Sequence, residues 1–73
     1  MRLPRVSGKQ AEGALLRAGF VIHRISGSHH ILKHPETGRR VTIPFHRREL
    51  APKTLRSVLK QAAISADTFA ELL

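Results

Sequence analysis

Along the first quarter of the chain, Ala11, Ala14, Leu15 and Ala18 stand at i, i+3, i+4 and i+7, one apolar stripe of a helix. Ser7 followed by Gln10 is a capping-box pattern that starts this helix, and Gly19 ends it as a C-cap. Gly13, inside it, weakens it by about 1 kcal/mol relative to alanine. The period then changes. Residues 20–25 are rich in β-branched and aromatic side chains and predict a first strand. Ser26-Gly27-Ser28 is a turn, residues 29–34 form a second strand, and Pro35-Glu36-Thr37-Gly38 is a longer turn. Val41-Thr42-Ile43 makes a third strand, which Pro44 stops. Strands joined so tightly form an antiparallel meander, because parallel neighbours need crossovers of a dozen or more residues.

The helical period returns after a loop that carries His46, Arg47 and Arg48. Pro52 suits the first position of a helix, and Leu55, Val58, Leu59 and Ala62 give that helix its core face. Lys53, Arg56 and Lys60 form a basic stripe on its other side. Ser65 caps a short last helix reaching Leu72, with Phe69 and Leu72 as its anchors. There is no internal repeat, linker or low-complexity segment, so residues 1–73 read as a single domain. The order is α-β-β-β-α with a short C-terminal helix. Placing both long helices on one face of a three-stranded antiparallel sheet buries their stripes, which makes an α+β fold.

Charge narrows the function. Thirteen Lys and Arg against five Asp and Glu give a formal net charge of +8 on 73 residues, which points to a polyanionic partner. The bases are spread over loops and helices rather than along one amphipathic helix, and no apolar run reaches membrane-spanning length. A membrane role is therefore disfavoured. The N-terminal Met1-Arg2-Leu3-Pro4-Arg5 leads into polar residues without an apolar signal region, and the chain has no Cys. Both features predict a cytoplasmic protein. Trp and Tyr are absent and Phe20, Phe45 and Phe69 each have a packing role, so base stacking is a poor option. Contact with nucleic acid is expected through the phosphate backbone, with steep salt dependence.

Three histidines fall in the nine residues Ser26 to His34. Neighbouring strand residues point to opposite faces, so His29 and His30 cannot chelate one ion from a regular strand. His30 and His34 share a face but stand about 13 Å apart at ~3.3 Å per residue. His23 and His46 bring no carboxylate or thiolate at ligand spacing, and neither a metal nor another cofactor is expected. No Gly-x-Ser-x-Gly elbow or triad pattern is present. General base catalysis by one histidine among arginines remains, since nearby positive charge favours the neutral, proton-accepting imidazole. An RNA phosphodiester would supply its own nucleophile, the adjacent 2′-OH. His29 stands out because it follows the Gly27-Ser28 turn, and functional side chains concentrate at such loop edges. The alternative from another class is a non-catalytic basic RNA-binding module with the same face.

The order of these elements carries several short motifs. They are Ala18-Gly19-Phe20, Gly27-Ser28-His29-His30, His34-Pro35, Val41-Thr42-Ile43-Pro44, and the run from Thr54-Leu55-Arg56 to Gln61-Ala62. As a set, from about Ser7 to Leu72, they resemble the HicA (YcfA-like) toxins of HicAB toxin-antitoxin systems. The resemblance implies a double-stranded-RNA-binding-domain-like fold and a metal-independent, ribosome-independent mRNA interferase belonging to a type II toxin-antitoxin pair. It puts the catalytic role on His29, the histidine after the Gly-Ser pair, with Ser28 beside it. It also implies a HicB-type antitoxin that masks the active site, with operator DNA bound only through the toxin-antitoxin complex. Lys53, Arg56 and Lys60 are then expected RNA-backbone contacts. Many relatives carry Lys or Arg where this chain has Ser26, so a cation near the site must come from Arg24 or another segment. Relatives usually have Gly where this chain has Ala63.

Overall fold

A computed structural model describes residues 3–73, so Met1 and Arg2 of the N-terminal segment lie outside the described residues. Its elements are α1 (Gly8–Arg17), β1 (Val21–Ser26), β2 (His29–Lys33), β3 (Arg40–Pro44), α2 (Pro52–Ala62) and α3 (Ala66–Leu72). The fold is α+β, and the three strands form one antiparallel sheet in the order β1-β2-β3.

The local signals act where the sequence puts them. Ser7 Oγ accepts from the Gln10 N–H at 3.1 Å, and Gln10 Oε1 accepts from the Ser7 N–H at 2.9 Å, a complete capping box. At the other end the cap is Ala18, and Gly19 follows it in the left-handed region with φ 102°. The N–H groups of Gly19 and Phe20 return to the carbonyls of Leu16 and Leu15, so the helix closes as a Schellman turn. Phe20 therefore belongs to the end of that turn and is buried; β1 starts one residue later. His34 likewise leaves β2, and its Nδ1 accepts the Glu36 and Thr37 N–H groups at 3.2 and 3.4 Å, which shapes the β2–β3 turn.

Both long helices lie on one side of the sheet. Leu15 of α1 and Val58 and Ala62 of α2 meet Phe20, Leu32, Val41 and Ile43 in one buried cluster. A second cluster joins the layers from outside: Val6, Ala11, Ala14, Leu55 and Leu59 pack around Phe69 of α3. The Arg17 guanidinium donates to the Leu72 carbonyl at 3.0 Å and holds the end of α3 against α1. The helices pack on the β3 side of the sheet, where Gln61 Oε1 accepts the Thr42 N–H at 3.0 Å. The opposite edge is bare: all six residues of β1 are exposed, Ile22 and Ile25 among them.

One joint ties α1 to the sheet. A Cβ on Gly8 would stand 1.9 Å from the Pro44 carbonyl oxygen, so only glycine lets the first turn of α1 sit on the end of β3. One turn further, Glu12 Oε1 lies 2.6 Å from His30 Nδ1. The His30 ring stacks on Phe45, with centroids 4.0 Å apart and planes 7° from parallel. The two side chains of the pair are only 10% (Glu12) and 14% (His30) exposed, so their hydrogen bond works in a largely desolvated place.

Three stability changes follow, each read by chemical denaturation. Gly8→Ala forces backbone apart at the joint and costs about 1–3 kcal/mol. Glu12→Ala leaves a mostly buried imidazole without its partner and costs about 1.5–3 kcal/mol. Ala63 is exposed and sits in the left-handed region at φ 57° after α2, so Ala63→Gly removes strain and gains about 0.5–1 kcal/mol.

Candidate active site

The site forms where the β1–β2 hairpin meets the end of β3. Gly27 takes φ 58° and lets a two-residue turn reverse the chain, so Ser26 pairs with His29 directly. The Ser28 carbonyl accepts the Phe45 N–H at 2.6 Å, and His29 pairs with Pro44. Ser28 and His29 are therefore locked between two strands although both side chains are exposed.

Strand alternation then sorts the histidines. His30 pairs with Ile43 and shares the helix side with buried Leu32. His29 faces the other way, onto the side that no helix covers. The ring of His29 has no hydrogen-bond partner among the described residues. Of the other histidines, His34 serves its turn, and His23 and His46 are exposed. Among the described residues no three His, Asp or Glu side chains gather as a metal site would require.

The open side of the sheet is arranged in cross-strand rows. Ser26, His29 and Pro44 form the first, Arg24, Ile31 and Thr42 the second, and Val21, Lys33 and Arg40 the third. Arg24 owes its place to a β-bulge. The pairing jumps between Ile22 and Arg24, leaving His23 as the extra residue. Without that bulge, strict alternation from Ile22 would turn Arg24 to the helix side. The bulge lets Ile22 stay over Leu32 while Arg24 joins the face of His29.

Lys53, Arg56 and Lys60 are exposed, but on the face of α2 opposite its buried Leu55, Val58, Leu59 and Ala62. Since that buried face lies on the sheet, the basic stripe points away from His29. The structure thus brings His29 and Arg24 to one face, with Ser28 in the turn at its end, and leaves the α2 stripe on the other. The 45–51 loop is closer. It is tied to Ser28 at Phe45 and to the Val6 carbonyl through the Leu50 N–H at 2.8 Å. His46 and Arg48 line a cleft of about 210 Å³ that begins at Pro44, the cross-strand neighbour of His29.

Sequence reasoning missed two participants. Glu12 falls outside the Ala11, Ala14, Leu15 and Ala18 stripe, yet it pins His30 from 18 positions away; its spacing of three from Leu15 was the available signal. The bulge at His23 has no glycine or proline to mark it.

No curated protein matches the chain. A family model described as the HicA toxin of bacterial toxin-antitoxin systems matches residues 8–64, from the first turn of α1 to just beyond α2. That span holds the hairpin, the bulge, the Glu12–His30 joint and the 45–51 loop. The chain belongs to the HicA toxin family.

Proposed function

We propose that this toxin is a metal-independent endoribonuclease that cleaves mRNA in the cytoplasm, with His29 as the general base. The observation that carries the reading is the state of His29: exposed, uncommitted to any partner among the described residues, and set by the hairpin on a face that bears cations and no carboxylate. In this reading the imidazole takes the proton of a ribose 2′-OH. The 2′ oxygen attacks the adjacent phosphorus, the bond to the 5′ oxygen breaks, and that oxygen leaves with a proton. The products are a 2′,3′-cyclic phosphate and a 5′-OH end. Arg24, one row from His29, is the nearest cation of the open face and stabilises charge on the phosphorane. Ser28, fixed by its carbonyl, brings its hydroxyl to the same end of the sheet.

The partner in this reading is a HicB-type antitoxin that covers the face of His29, with operator DNA contacted through the complex of the two. An acidic surface on that partner complements the net charge of +8.

Purified protein is expected to cut RNA in the presence of EDTA and to spare a strand whose scissile position carries a 2′-deoxyribose. His29→Ala is expected to lower the cleavage rate by about 10²–10⁴, the usual worth of a general base, with RNA binding retained. Wild-type protein that binds RNA without cutting it would leave the non-catalytic RNA-binding module as the function.

A further inference from the structure

We infer that the open face of the sheet is itself the RNA track, with Arg24, Lys33 and Arg40 as consecutive phosphate contacts leading away from His29. The inference rests on the reading of RNA as the ligand and names the surface that holds it.

The rows of the sheet give the argument. Residues two apart along a strand are separated by about 6.8 Å, so the row of His29, the row of Arg24 and the row of Lys33 with Arg40 succeed one another at that interval. This is close to the spacing of consecutive phosphates in an extended single strand. A phosphodiester at His29 therefore sets the next phosphate beside Arg24 and the one after it between Lys33 and Arg40. Arg24 and Arg40 are exposed, and Lys33 is half-buried, its stem lying between the paired Val21 and Arg40.

Nothing on the face neutralises these cations. The one ion pair among the described residues is Glu12–His30, on the helix side. None of the five carboxylate residues, Glu12, Glu36, Glu49, Asp67 and Glu71, lies in the three rows. The three rows carry no Phe, Tyr or Trp, so the face is fitted to the backbone rather than to stacked bases. The stripe on α2 is as basic, but it lies opposite the helix face that packs on the protein and is turned away from His29. The bulge at His23 supports the same assignment, because it turns Arg24 onto this face.

The test measures binding rather than cleavage. A short RNA made uncleavable by 2′-O-methyl substitution throughout is titrated by fluorescence anisotropy across a salt series. The proteins compared are wild type, R24Q/K33Q/R40Q and K53Q/R56Q/K60Q, each checked for folding by circular dichroism. The sheet variant is expected to lower the slope of log K against log salt by about 1.4, roughly 0.7 for each of the two phosphates that no longer meet a cation. At about 0.1 M salt that corresponds to a loss of about 25-fold. Shortening the RNA until fewer than two phosphates remain on one side of the scissile position is expected to weaken binding by wild type and the helix variant but not by the sheet variant.

An unchanged slope in the sheet variant, or a loss confined to the helix variant, overturns the inference. So does binding of an acidic peptide, but not RNA, to the open face. Cleavage by wild type with an unchanged sheet variant sinks this inference alone. Sheet-dependent binding without cleavage of unmodified RNA leaves it standing and sinks the proposed catalytic function.

Discussion

The contact that orders the rest of this structure is the 2.6 Å pair between Glu12 and His30. A strand can present either face to the helices, and a one-residue slip exchanges them all. In β2 the apolar content is slight, since Leu32 alone is fully buried. The Glu12 carboxylate and the Phe45 ring hold His30 on the helix side and so decide the matter at the hairpin end. His29 is then outward by necessity. The close approach of Gly8 to Pro44 places α1 where Glu12 can reach, so a glycine, a carboxylate and an imidazole together orient the residue beside them.

Fixing one end of the hairpin leaves the other end to be reconciled. Ile22 belongs over Leu32, and Ile25 pairs with His30; both lie on the helix side, three residues apart. Two strand residues separated by three cannot share a face unless one residue is inserted. The bulge at His23 is that insertion, and Arg24 on the open face is its consequence. Packing and chemistry are thus coupled through backbone register.

Much of the fold was legible because its signals are local. Ser7 with Gln10, Pro52 and Ser65 name three helix starts, and the alanine and leucine spacings name the faces buried behind them. The tight turns dictate an antiparallel sheet, and the residue after Gly27-Ser28 could be singled out from the turn alone. What stayed hidden depends on pairing at a distance. Glu12 and His30 meet only after α1 and β2 have docked, and the bulge exists only relative to Leu32 and Ile31. The relation of the basic groups was hidden for the same reason. Lys53, Arg56 and Lys60 are one helical stripe in sequence, whereas Arg24, Lys33 and Arg40 become neighbours only across three strands.

That distinction bears on how a net charge of +8 can be carried by so small a core. Like charges gathered without counter-charges destabilise a compact chain, and a domain of this size has little stability to spare. The acids here do little to relieve that strain. Glu12 is committed to His30, Glu36 sits in the β2–β3 turn, Glu49 lies in the 45–51 loop, and Asp67 and Glu71 are on α3. Six of the cations, Arg24, Lys33 and Arg40 on the open sheet and Lys53, Arg56 and Lys60 on α2, are instead divided between two separate surfaces, which keeps the two groups apart and limits the repulsion. The open sheet is the surface where repulsion is best tolerated, because its cations stand on the solvent side of strands whose other side is anchored by Leu32, Val41 and Ile43. A polyanion laid there relieves the repulsion as it binds, so the arrangement that costs stability in the free protein also adds to its affinity.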